Sequence, residues 1–158
     1  MECAVIDSPL GSVRICRNDR GVTSISVLDK PGDTGPVPQS LQLAVDELRE
    51  YFNGLRREFT FEIDPSGTDF QKKVWRELVN IPFGSTLSYL ELSKRLGDVK
   101  AIRAVASANG KNPLWIVVPC HRVIGTDGSL TGYAGGLWRK KWLLEHESPS
   151  TQQRLFEP

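Results

Sequence analysis

Pro119-Cys120-His121-Arg122-Val123 closes an apolar run, Leu114 to Val118, and sets a thiol directly against two basic side chains. The thiolate is the nucleophilic form of cysteine, and positive charge or a helix N-terminus stabilises it. The chemistry on offer is covalent: Cys120 attacks and a basic neighbour takes the proton. The residues alone leave a second reading open, an inert buried thiol packed as a small hydrophobe, because adjacent side chains often point apart. Gly125-Thr126-Asp127-Gly128-Ser129-Leu130-Thr131-Gly132-Tyr133-Ala134-Gly135-Gly136 follows, with five glycines in twelve residues. Such a segment either wraps a ligand or serves as a plain connector.

Charge supplies the next group of residues. The chain carries a net charge of only +1. Residues 1–66 hold 7 Lys/Arg against 11 Asp/Glu, whereas residues 67–158 hold 13 against 8. Lys100, Arg103, Lys111, Arg122, Arg139, Lys140 and Lys141 lie within 99–141, with Asp127 the sole acid among them. The asymmetry describes either a C-terminal half that faces a polyanion or a solvated basic face.

Composition bounds the rest. With 158 residues, 39% hydrophobic and 25% charged, the chain has the make-up of one ordinary or two small folded domains, not of a disordered or repetitive one. No apolar run approaches the length of a membrane-spanning helix, so no membrane partner is expected. MECAVIDSPLG lacks the basic and apolar regions of a secretory signal. Three cysteines are too few and too odd for a disulfide scaffold, which points to a reducing interior.

These groups need elements to hold them. Residues 3–7 and 12–17 read as strands around the turn Ser8-Pro9-Leu10-Gly11. If residue 7 pairs with 12, Cys3 faces Cys16. Two neighbouring free thiols are expected there, with a disulfide open to them on air oxidation. Val22 to Leu28 reads as a third strand, with Val22, Ser24, Ser26 and Leu28 on one face. Leu41, Val45, Leu48 and Phe52 recur at helical spacing, and Asn53-Gly54 ends that helix. Phe59, Phe61 and Ile63 alternate as a half-buried strand. Asp64-Pro65-Ser66-Gly67 marks a domain boundary.

The second half reads as mostly helical. Thr68…Gln71 and Ser88…Glu91 have capping-box form. Phe70, Val74, Leu78 and Ile81 make an apolar stripe ended by Pro82-Phe83-Gly84. Gly97 closes the helix begun at Ser88, and Asp98 caps another, from about Val99 to Asn109. Its inner face is Ile102, Val105 and Ala106, while Arg103, Ala104 and Ser107 point elsewhere. Two helices on a tight Gly turn form a helix-turn-helix pattern, and small outer residues suit close docking on DNA or burial among other helices. Leu137 to His146 reads as a last helix, ending at Glu147. The fold class is therefore α+β: a small N-terminal antiparallel sheet with a helix (1–66), a mostly helical domain with a helix-turn-helix (67–150), and a tail (151–158).

Taken together, Ile81-Pro82-Phe83-Gly84, Ser88-Tyr89, Arg103-Ala104-Val105, Asn112-Pro113, Pro119-Cys120-His121-Arg122-Val123 and Gly132-Tyr133-Ala134-Gly135-Gly136-Leu137 resemble the O6-alkylguanine-DNA alkyltransferases. The likeness covers residues 67–147 with the spacing intact, and Asp7-Ser8-Pro9-Leu10-Gly11 extends it into the first half. The resemblance implies a DNA repair protein that moves an alkyl group from O6 of guanine, and less readily from O4 of thymine, onto its own cysteine. Each molecule acts once, as a monomer, without a cofactor or metal, on double-stranded DNA containing alkylated bases. Its place would be the cytoplasm, or the nucleus in a eukaryote.

Roles carry over position by position. Cys120 is similar to the acceptor, His121 to the base that acts through a water, Glu147 to the acid that orients it, and Asn112 to the brace of that network. Tyr89 resembles the residue that protonates N3 of the leaving guanine and contacts the rotated phosphate. Arg103 is similar to the finger that enters the duplex. Lys100, Ala101, Ala104, Ser107 and Lys111 would meet DNA with it, in the minor groove. The carbonyls of Cys120 and Val123, with Tyr133 and Ala134, resemble the guanine contacts, and Trp115 and Thr131 flank the pocket. Because O6 is inside the stack, the base must flip out, at a cost of about a few kcal/mol.

Three departures stand out. Ala134 replaces a serine found in some members, Trp115 and Thr131 replace smaller residues or proline, and the only histidines are His121 and His146, so the zinc site of vertebrate members cannot form. Other classes compete with this reading: an alkyltransferase-like damage sensor, which would lack the cysteine; a Cys-His-Glu thiol hydrolase; and a helix-turn-helix regulator without chemistry.

Overall fold

The computed structural model describes residues 1–130 and 132–148, and divides into two units, Met1–Ser66 and the chain from Gly67 onward. In the first unit, β1 (Glu2–Ser8), β2 (Gly11–Arg17) and β3 (Val22–Val27) form an antiparallel sheet in the order β1-β2-β3. Asp7 pairs with Ser12 and Cys3 with Cys16, the expected register. The two thiols are not free, however: Cys3 and Cys16 are joined in a disulfide, with Cα atoms 4.1 Å apart. The directly opposed pair brings the sulfurs within bonding reach.

The strict alternation expected of the third strand also fails. Val22 and Ile25 are both buried, three residues apart. Cys16 pairs with Ser24 but Arg17 with Val22, so the register shifts there and the strand's facing slips by one. The helix α1 (Gln42–Phe52) buries Val45, Leu48 and Tyr51 completely, each contributing about 2 kcal/mol by removing its side chain from water. Residues 59–63 do not form the expected strand, but only a single parallel bridge, Val22 to Ile63. Buried Glu47 takes the Thr60 amide at 2.7 Å and its hydroxyl at 2.5 Å, so a side chain satisfies backbone that a strand would have paired.

The second unit contains α2 (Asp69–Leu78), β4 (Leu87–Ser88), α3 (Tyr89–Arg95), α4 (Ile102–Gly110), β5 (Val123–Ile124) and α5 (Leu137–Glu147). Both capping boxes form, Thr68 with Gln71 and Ser88 with Glu91. Phe70 stays exposed at 38%, and Trp75 takes the core position instead, its indole donating to the Ala108 carbonyl of α4 at 2.9 Å. Asp98 caps as expected, but on a 3₁₀ turn, Val99–Ala101, that precedes α4. Gly97 between α3 and α4 has φ 89°, a conformation that only glycine adopts without strain. Among the described residues no helix is long and apolar enough to cross a membrane.

Candidate active site

One short pairing organises the site. β4 and β5 run parallel, Leu87 beside Val123 and Ser88 beside Ile124. Tyr89, the first residue of α3, is thereby set next to the turn that carries Cys120, His121 and Arg122. Upstream, Asn112 holds the chain leading into that turn. Its side-chain amide donates to the carbonyls of Val118 at 2.7 Å and Leu114 at 3.3 Å, and its oxygen accepts the Leu114 amide at 2.9 Å. Between them Ile116 sits at φ 75°, a strained conformation for a β-branched residue that costs about 1–3 kcal/mol and persists because its surroundings enforce it.

Cys120 is the free thiol among the described residues and is 4% exposed. Burial pushes its pKa up to about 11, against the opposing pull of the Asn112 hydrogen bond and the Lys140 charge. His121 is fully buried beside it in sequence, and its Nε2 lies 2.8 Å from Glu147 Oε2 at the end of α5. Burial works to raise the Glu147 pKa, but His121 and then Arg122 hold it below the ordinary carboxylate range. The ionised carboxylate can only accept, so Nε2 carries the hydrogen and Nδ1 is left as a basic lone pair. Nδ1 is buried and has no protein partner. Burial lowers the His121 pKa, which keeps the ring neutral and able to take a proton.

Three residues join the site that the motif reading did not assign to it. Arg122 binds Glu147 through two nitrogens, at 2.7 and 3.0 Å, and the Ile81 carbonyl at 2.7 Å. It occupies the motif itself, so its planar two-pronged geometry was a signal available in the sequence. Lys140, on α5, is fully buried and donates to the Val123 carbonyl at 2.6 Å. Burial brings its pKa down to about 8. Asn109, at the end of α4, lies within 3.4 Å of the Tyr89 hydroxyl and 3.5 Å of the Cys120 carbonyl. Nothing in the local sequence distinguishes either from a surface residue; only the packing of α4 and α5 turns them inward.

A pocket of about 590 Å³ opens beside this cluster. Tyr89, Ile102, Arg103 and Ala106 line one side, and Gly132, Tyr133 and Ala134 the other. Ile102 and Ala106 therefore face the pocket and are only half-buried, whereas Val105, Ala108 and Asn109 make the inner face of α4. Arg103, Ala104, Ser107, Lys100 and Lys111 are exposed and Ala101 half-buried, all on α4 and the residues flanking it. Trp115 does not line the pocket. Its ring packs on Tyr133, with centroids 5.6 Å apart, and so backs the wall from behind. Thr131, expected opposite it, lies outside the described residues, as does the expected tail. The Val123 carbonyl is engaged by Lys140, and that of Cys120 receives the Val123 amide as well as Asn109.

The arrangement is a buried thiol, a neutral imidazole aimed by a carboxylate, and an adjoining pocket walled by a tyrosine and an exposed arginine. Known proteins resemble this chain over most of its length. The DNA-binding-domain model of 6-O-methylguanine DNA methyltransferase matches residues 69–149, and the ribonuclease-like-domain model of the same proteins matches residues 1–65. A methylated-DNA–protein-cysteine methyltransferase of Mycobacterium bovis is 47% identical over 147 residues, covering 90% of this chain and 89% of its own. One from Methanosarcina barkeri is 41% identical over 149 residues, covering 90% and 94%. The crystal structure of Mycobacterium tuberculosis OGT in complex with DNA superposes with a TM-score of 0.85 at 44% identity, covering 99% of this chain and all of that one (100%).

Proposed function

Since the chain belongs to the 6-O-methylguanine DNA methyltransferase family, we propose that Cys120 is the acceptor to which it transfers alkyl groups from damaged DNA, in a single irreversible turnover. The observation that carries this reading is the buried Cys120 beside a His121 that Glu147 keeps in one tautomer, with the basic Nδ1 unpartnered. The sulfur attacks the alkyl carbon, the bond from that carbon to O6 breaks, and its electrons pass into the purine. His121 Nδ1, through a water, receives the thiol proton, and Tyr89 supplies a proton to N3. Arg122 keeps Glu147 anionic, so the imidazolium that forms is stabilised where it stands.

The target atom lies inside the duplex, so the base is flipped into the pocket between Tyr89 and Ala134. Arg103 fills the vacated stack, α3 and α4 act as the helix-turn-helix, and the small side chains Ala104 and Ser107 let α4 approach the minor groove. O4-alkylthymine is a slower substrate. The protein works as a monomer, in the cytoplasm or, in a eukaryote, in the nucleus.

Mass spectrometry after incubation with duplex DNA containing O6-methylguanine tests the reading. Wild type gains one methyl, on Cys120, and Cys120→Ser gains none while binding the duplex within about threefold of wild type. A damage sensor or a transcriptional regulator gains no mass, and a thiol hydrolase turns over without retaining any.

A further inference from the structure

Asn109 is 3% exposed, and its side chain stands between two groups of the site. Its amide nitrogen faces the Cys120 carbonyl and the Tyr89 hydroxyl, at 3.5 and 3.4 Å, both at the long end for hydrogen bonds. The amide orientation follows from chemistry. A carbonyl has no hydrogen, so the Asn109 atom facing Cys120 O must be the NH₂. That group has two hydrogens, enough to serve both the Cys120 carbonyl and the Tyr89 oxygen. The carboxamide oxygen is left buried with no partner. An amide placed for its own satisfaction would not leave its acceptor orphaned.

We propose that Asn109 is a positioning residue for proton delivery by Tyr89, donating to the phenol oxygen so that the phenol hydrogen points into the pocket. The inference rests on the reading of Tyr89 as the donor to N3. As the bond between O6 and the alkyl carbon breaks and N3 takes the Tyr89 proton, a phenolate is left. The Asn109 N–H holds that phenolate until it regains a proton from solvent. Without the amide, the hydroxyl turns freely, and its oxygen must carry the negative charge unaided in a half-buried place.

The test is a double-mutant cycle on single-turnover transfer from O6-methylguanine duplex DNA, read as methyl gained at Cys120. Asn109→Leu, which keeps volume but removes the amide, is expected to slow transfer about tenfold in the Tyr89 background. In the Tyr89→Phe background the same change is expected to slow it less than about twofold, because the group it acts through is gone. Equal slowing in both backgrounds, or none in either, overturns the proposal. If Asn109→Leu does not fold, as judged by thermal melting, Asn109→Ala removes the amide without adding bulk and is read the same way. Tyr89→Phe reacting as fast as wild type overturns the role of Tyr89 and this proposal together. A wild-type protein that gains no methyl overturns the transferase reading itself.

Discussion

Cys120 is a poor nucleophile as it rests, because its thiol is held protonated by burial up to about pH 11. With Cys3 and Cys16 bridged, iodoacetamide reports on Cys120 alone among the described cysteines. Its alkylation rate should climb about tenfold per pH unit above 7 and not level off below about pH 10, whereas an ordinary thiol levels off near 9. A rate measured by mass spectrometry that flattens at pH 8.5 would show that the thiol is not held back. On the proposed role of His121 as the base, His121→Gln should slow transfer by roughly 10²-fold with little change in melting temperature. Glu147→Gln is expected to do both kinds of damage. It orients His121, yet it also leaves buried Arg122 without its anion, which costs about 3 kcal/mol. The pH dependence has a matching sign. The Glu147 pKa is depressed on folding, so its contribution to stability is present above the unfolded carboxylate range and is lost as pH falls below it. Acid melting of wild type against Glu147→Gln checks this: the difference between them should shrink below about pH 4.

The Gly-rich loop is where element geometry controls the site. A Cβ on Gly135 would lie 2.8 Å from the Tyr133 ring and 3.0 Å from the Trp115 ring, so there is no room for one. Gly135→Ala should push Tyr133 into the pocket and slow transfer about tenfold or more, because in-line attack tolerates little misplacement. Melting should change little, since the Tyr133 ring, a side chain rather than backbone, is the part that yields. Unaltered transfer kinetics would show that Tyr133 does not shape the reacting geometry. Trp115 backs Tyr133 and so sets pocket width through it. Trp115→Pro is expected to raise the rate with free O6-benzylguanine more than the rate with methylated duplex, and a ratio of rates unchanged from wild type would remove Trp115 from that role.

For the protein as a whole, charge and small side chains on α4 predict how it engages DNA. Arg103→Ala should lower transfer from duplex DNA much more than reaction with the free modified base, because a finger has work only where there is a stack to fill. Equal losses on both substrates would refute that role. Affinity for duplex should fall as salt rises, with a slope reduced by about one when exposed Lys100 or Lys111 is neutralised, as measured by fluorescence anisotropy.

Much of this molecule is legible from local rules. Capping boxes at Thr68 and Ser88, the glycine at 97 and the pairing of Cys3 with Cys16 depend on neighbours a few residues away or on the register of one hairpin, and these were readable in order along the chain. The grouping of a thiol, an imidazole and a guanidinium on one turn was readable because Cys120, His121 and Arg122 are adjacent in the chain. What failed were statements about distant partners. Residues 59–63 have the alternation of a strand but give their amide to Glu47, Phe70 has the spacing of a core residue but yields to Trp75, and Val22 and Ile25 share a face because of a bulge. Asn109 and Lys140 look like surface residues until α4 and α5 pack around the Cys120 turn and bury them against Tyr89 and Val123. Periodicity reports which face of an element is apolar. Which polar group is drawn inside depends on an unpaired carbonyl or hydroxyl elsewhere in the chain, and only the packed three-dimensional arrangement brings the two within hydrogen-bonding distance.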